Sequence, residues 1–187
     1  MERIGPEFFQ RHPVACAREL IGCLFHWHGC AGRIVETEAY AAEGDPACHT
    51  FFRPGARRFV ASHEAGDAYV YLNYGVHWLF NILVRGGGMD GFVLLRALEP
   101  VAGLEAMRER RPDVRDVDLC AGPGKLTKAL GIDGGHHAAA FLDDPQCLII
   151  RNSAKSVMEG PRIGISTAVD LPWRFGLAGS VSLSRKF

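Results

Sequence analysis

The stretch from Ala68 to Leu98 limits the fold more narrowly than any other part of the chain. Three runs rich in aromatic and β-branched residues, Ala68 to Tyr74, His77 to Val84 and Gly91 to Leu98, are broken at Gly75 and at Gly86-Gly87-Gly88. Such runs with glycine at each break predict strands joined by tight turns, an antiparallel meander. Leu24 to His28 and Arg33 to Tyr40 read as a further hairpin around Gly29 to Gly32. A helix is expected from Pro13, a residue suited to the first helical position, to Gly22. Two more follow, one from Pro100 through Leu104 and Met107 to Pro112, the other from Gly122-Pro123-Gly124-Lys125 to a C-cap at Gly131. Short strands are expected near Cys147 to Ile150 and Gly164 to Thr167. Ala41 to Asp67 shows no sustained period and reads as one long loop with room for a turn of helix; loops of that length are usually functional. The expected architecture is α+β, a single domain over 1–187 with a largely antiparallel β-sheet, packed helices and a protruding β-hairpin.

Composition removes several alternatives. A chain of 187 residues, 48% hydrophobic and 22% charged, can bury a core without a metal or a disulfide to hold it. No run approaches the roughly 20 apolar residues of a membrane span, and the start of the chain has no apolar leader, so a soluble, unprocessed chain is expected. The six cysteines show no Cys-x-x-Cys spacing and fit reduced cytoplasmic thiols. Basic and acidic residues balance at 21 each, so the whole chain lacks the charge footprint of a nucleic-acid binder. Locally, Arg53, Arg57 and Arg58 lie between Pro46 and Ser62 with no acidic residue among them. Beyond Pro145, Arg151, Lys155, Arg162, Arg174, Arg185 and Lys186 face only Glu159 and Asp170.

Strand alternation puts Ile34, Glu36, Glu38 and Tyr40 on one face. Two carboxylates there mean either a solvated strand edge or a site where a carboxylate deprotonates water beside a cation. Arg96 shares parity with Phe92, Leu94 and Leu98 and needs an acidic or polar partner if buried. Gly122 to Thr127 fails as a nucleotide phosphate loop, because Leu119 stands at the first glycine position and Leu126 follows the lysine. That helix start can hold one backbone phosphate or be an ordinary tight turn. His26, His28 and Cys30 alternate, but no second cluster completes a coordination sphere, and no metal is expected there. Tyr69 and Tyr71 share a face, whereas Tyr74 sits at a hairpin tip, badly placed for the core and well placed to enter a groove.

These stretches together resemble the alkyladenine (3-methyladenine) DNA glycosylase family, from about Pro13 to the C-terminal region. The resemblance rests on Gly32-Arg33-Ile34-Val35-Glu36-Thr37-Glu38-Ala39-Tyr40, Asp45-Pro46-Ala47-Cys48-His49, Tyr69-Val70-Tyr71 with Tyr74-Gly75 and Asn81, Leu94-Leu95-Arg96-Ala97-Leu98-Glu99-Pro100, and Cys120-Ala121-Gly122-Pro123-Gly124-Lys125-Leu126, in that order. It implies a monofunctional enzyme that flips a damaged purine, alkylated or deaminated, out of double-stranded DNA and hydrolyses its N-glycosidic bond. Flipping costs a few kcal/mol, which pocket and wedge offset. By the resemblance, Glu38 is the general base, holding water with Arg96 and the backbone carbonyl of Ile163. Tyr40, His49 and Tyr71 form the base pocket, Asn81 opposes the 2-amino group of guanine, and Tyr74 fills the space the base vacates. Arg57, Arg58, Gly124 and Lys125 are candidates for the DNA backbone.

No cofactor is implied, no membrane partner, and a monomer in the cytoplasm at the nucleoid. The chain departs from the family pattern at Thr50, Arg57-Arg58 and Ala61-Ser62, which bears on lesion range and on how the duplex is held open. Two other readings stand beside this one: a non-catalytic binder of damaged or bent DNA, and a hydrolase of free nucleosides, which gives Tyr74 and the arginines no role.

Overall fold

The computed structural model describes residues 2–152, 154 and 156–187; Lys155 of the basic stretch lies outside them. Among the described residues, nine strands form one antiparallel sheet: β1 (Arg3–Ile4), β2 (Leu24–Trp27), β3 (Cys30–Ala41), β4 (Ala68–Asn73), β5 (His77–Val84), β6 (Gly91–Ala102), β7 (Cys147–Ile150), β8 (Val157–Gly160) and β9 (Arg174–Leu177). The order β1-β7-β2-β3-β6-β5-β4 contains the expected meander as β4-β5-β6. Helices α1 (Pro13–Glu19), α2 (His49–Phe52), α3 (Pro54–Ser62), α4 (Leu104–Arg110) and α5 (Pro123–Leu130) complete an α+β fold. None is long and apolar enough to cross a membrane.

The central strand is β3. On one side it pairs with β6 along its length; on the other it pairs with β2 from Cys30 to Arg33 and with β9 from Glu36 to Glu38. Its ladder with β6 shifts register three times, once between Ala31 and Gly32 and twice in the middle, where Ile34 opposes Leu98, Glu36 opposes Ala97 and Thr37 opposes Leu95. Val35 and Arg96 are thus left as extra residues on opposite strands, and such bulges re-aim side chains. The parity set splits there, with Ile34 in the main hydrophobic core and Glu36 and Glu38 in a polar network.

That core stacks Phe25, Trp27, Phe80 and Phe141, with ring centroids 5.3 to 6.1 Å apart, beneath α1 and α5. A smaller cluster joins Cys48, Ala56, Phe59, Val60, Tyr69, Leu83 and Phe92 under α3.

Four boundaries differ from expectation. The turn between β2 and β3 is the two residues His28 and Gly29, both left-handed at φ 43° and 80°, so β3 begins at Cys30. The long loop contains α2 and α3: Pro54 opens α3, and Ala56, Phe59 and Val60 face the smaller cluster at helical spacing that its glycine, proline and arginine obscured. Pro100 extends β6 instead of starting a helix; β5 has left β6 by Leu94, so the missing N–H breaks no ladder on that side, and Gly103 at φ 73° precedes α4. Gly164 to Thr167 is not a strand but lines a cavity, and the late strands are β8 and β9.

Candidate active site

Glu38 is fully buried on β3, where a carboxylate must be paired. Its Oε1 accepts the Ile163 amide at 2.7 Å, and its Oε2 accepts the Tyr40 hydroxyl at 2.7 Å and lies 3.3 Å from Arg96 Nη1. Burial, then Glu38, pushes the Tyr40 phenol well above its usual range, so it remains a donor. Burial opposes the Arg96 charge, but Glu38 and Glu36 together outweigh it and keep the guanidinium protonated. The contact from Ile163 is made by its N–H, whereas the expected role concerned its carbonyl.

Glu36 has a separate environment. Its Oε1 accepts Arg96 Nε at 3.1 Å, Arg174 Nε at 2.8 Å and Ser184 Oγ at 2.8 Å, and its Oε2 accepts the Ser184 amide at 2.6 Å. It therefore anchors the bulge residue Arg96 and ties β9 and residue 184 to β3.

Tyr40, Arg96 and Ile163 touch Glu38 on one side and line a cavity of about 470 Å³ on the other. His49, Tyr69, Tyr71, Leu79, Asn81, Phe92 and Leu94 form more of its wall. The His49 and Tyr71 rings meet edge to face with centroids 4.3 Å apart, and Tyr69 stacks on Phe92 at 4.6 Å. Burial, helped by Arg53, lowers the His49 pKa to about 4, so the imidazole is neutral near pH 7; Nδ1 lies 3.1 Å from the Tyr69 hydroxyl. Asn81 is held by its own amide, which donates to the Tyr69 carbonyl at 3.1 Å across the β4-β5 ladder. The cavity is thus a slot with aromatic walls, of a size for a flat ligand, above a carboxylate held by three donors.

At the rim, Tyr74 is 86% exposed at φ 49° and is followed by Gly75 at φ 70°. The expected backbone contacts divide. Arg57 donates to the Thr50 carbonyl at 2.6 Å, fastening α2 to α3, and lines a different cavity; Arg58 is exposed on α3. Neither lines the aromatic slot, but Arg53 does, with its guanidinium 5.5 Å from the Tyr71 ring centroid. Pro123 reaches the slot, while Gly124 packs on His77 and Lys125 is exposed outside the lining.

Two contributors escaped the sequence reading, the lining role of residues 164–167 and the anchor Arg162. With Ile163, residues 164–167 close one side of the slot. The segment is anchored by buried Arg162, which donates to both oxygens of Asp45 at 2.6 and 2.9 Å and to the Ala39 carbonyl at 3.0 Å. Asp45 stood in a recognisable motif, but its partner lies more than a hundred residues away and carried no local signal.

Comparison with known proteins matches residues 7–181 to the family model described as "Methylpurine-DNA glycosylase (MPG)". A protein of Nitrosospira multiformis is 45% identical over 179 residues, covering 96% of this chain and 92% of that protein. One of Bradyrhizobium diazoefficiens is 45% identical over 181 residues, covering 96% and 90%, and one of Chlorobaculum tepidum 41% identical over 192 residues, covering 99% and 92%. All three bear the name "Putative 3-methyladenine DNA glycosylase".

Proposed function

We propose that this chain, which belongs to the methylpurine-DNA glycosylase family, removes damaged purines from duplex DNA by hydrolysis of the N-glycosidic bond, with Glu38 as the base that activates water. The observation that carries the reading is the joint position of Tyr40, Arg96 and Ile163, each in contact with the Glu38 carboxylate and each lining the aromatic slot. A purine swung out of the helix has the flat shape that Tyr40, His49 and Tyr71 accept by stacking and edge contact, and each stacked base contributes roughly 1 to 3 kcal/mol. Asn81 then meets the edge of the base, and Tyr74 occupies the vacated space in the duplex.

The reaction needs one base. As the C1′–N bond lengthens, positive charge develops on the sugar; the nearby carboxylate stabilises it and takes a proton from the attacking water. A water reaches Glu38 through a remaining lone pair of its carboxylate, with the Arg96 guanidinium and the Ile163 carbonyl as further partners. An alkylated purine leaves as a neutral base without a general acid. A neutral lesion such as hypoxanthine needs a proton or a hydrogen bond on its leaving ring. Among the described residues no lysine lines the slot, which supports simple hydrolysis over Schiff-base lyase chemistry.

Glu38→Gln keeps the shape and the Tyr40 contact but removes the proton acceptor. The test is single-turnover excision on duplexes containing methyladenine or hypoxanthine, followed by alkaline cleavage of abasic sites. The expected result is retained binding with loss of base release. Base release by Glu38→Gln at the rate of the unmodified protein overturns the assignment of Glu38. Tight binding with no strand breaks from the unmodified protein on either lesion favours the non-catalytic binder.

A further inference from the structure

We propose that His28, Cys147 and Asp144 form a binding site for a transition-metal dication of the Zn²⁺ or Co²⁺ class, which clips the tip of the β2-β3 hairpin to the turn that opens β7. The proposal stands on groups outside the aromatic slot and does not depend on how the slot is used.

The backbone brings the three ligands together. His28 is the first residue of the two-residue hairpin turn, held left-handed at φ 43°, and its N–H donates to the Gln146 carbonyl at 3.0 Å. The neighbouring pair Trp27 and Cys147 is in register between β2 and β7. The His28 ring is thereby carried over the 144–147 turn. Its Nε2 lies 3.6 Å from Cys147 Sγ and 3.7 Å from Asp144 Oδ2. All three donor atoms lie within 4.8 Å of one another. Around a tetrahedral zinc with bonds of about 2.0 to 2.3 Å, nitrogen, sulfur and oxygen ligands stand roughly 3.3 to 3.6 Å apart, so an ion seats with side-chain shifts of at most about an ångström.

The surroundings point each donor atom inward. The Gln146 amide oxygen lies 3.4 Å from His28 Nδ1; with the ring proton on Nδ1 donating to it, the Nε2 lone pair faces the sulfur and the carboxylate. Asp144 Oδ1 accepts the Gln146 amide N–H at 2.7 Å, which fixes the carboxylate and leaves Oδ2 for the ion. His28 and Asp144 are partly open to solvent, so water can take the fourth position. Among the described residues, no other group of three histidine, cysteine or acidic side chains converges in this way. The alternating His26, His28 and Cys30 do not assemble a site, because Cys30 turns its sulfur to the Gly103 carbonyl and Arg110. On binding, the Cys147 S–H bond breaks, a sulfur–metal bond forms and the proton passes to solvent, one per ion.

The test titrates the chelator-treated 187-residue chain with Co²⁺ alone. One equivalent should produce a near-ultraviolet thiolate-to-cobalt charge-transfer band and the visible bands of a four-coordinate ion, both abolished by competing Zn²⁺. Saturating Zn²⁺ should raise Tm. Cys147→Ser and His28→Gly, the latter suited to the left-handed turn, should lose the charge-transfer band and the Tm rise while remaining folded. Gln146→Ala should weaken Co²⁺ binding about 10- to 100-fold by releasing the His28 ring. Absence of the charge-transfer band at saturating Co²⁺ in the unmodified chain overturns the proposal. So does a band of equal intensity in Cys147→Ser or His28→Gly.

Discussion

Arg96 carries one positive charge between two carboxylates, engaging Glu36 through Nε and Glu38 through Nη1, with Arg174 as the second cation on Glu36. Four charges, two of each sign, are therefore buried together, and the cost of removing one is the cost of leaving its partners unpaired. Glu36→Ala leaves Arg174 without its carboxylate and Arg96 with Glu38 alone, and should destabilise the fold by about 3 to 5 kcal/mol in denaturant unfolding, although Glu36 is outside the cavity lining. His49 supplies a pH test. Its pKa is about 4 in the fold against an ordinary 6.5, so as pH falls the unfolded chain takes up the proton first. The His49 contribution is complete above pH 6.5 and declines between 6.5 and about 4. His49→Gln should flatten that part of the curve of unfolding free energy against pH. The pairing of a buried Arg96 with an acidic residue was legible from strand parity, but the division of labour between Glu36 and Glu38 was not, because it depends on Arg174 and Ser184, which carried no sequence signal.

The strands β3 and β6 make the site by their closeness. Gly91 opposes Ala41, and a Cβ built there would lie 2.0 Å from the Tyr40 carbonyl oxygen and 2.9 Å from Pro13. Gly91→Ala must therefore push the two strands apart next to Tyr40. Overpacking of this kind typically costs about 1 to 3 kcal/mol, and denaturant unfolding of the variant should show at least that loss. The meander, α1 and α5 were readable from the chain because their signals are local: alternating apolar runs, a proline at a helix start, a glycine at its end. Helices α2 and α3 were not, because α2 is four residues long and α3 buries only Ala56, Phe59 and Val60 in a segment whose composition suggests a loop.

Across the whole molecule, charge is balanced at 21 basic and 21 acidic residues, so any grip on DNA must come from a few local cations. Arg53 lines the slot together with the exposed rings of Phe52 and Tyr74. If the chain binds duplex DNA as proposed, log K should fall with log salt by about 0.9 per phosphate neutralised, giving a shallow slope of a few contacts. Arg53→Gln should reduce that slope by about one, measured by fluorescence anisotropy over a salt series. From its residues alone the chain determined an α+β meander, a glutamate pair and a set of aromatic candidates, because hydrophobic period, turn chemistry and motif order are properties of neighbouring positions. Tertiary structure alone decided that Glu38 is buried against Tyr40, Arg96 and Ile163 of the cavity wall, that Arg162 and Asp45 anchor segment 163–167, and that His28 faces Cys147. Those are contacts between residues far apart in the chain, brought together by strand register and burial.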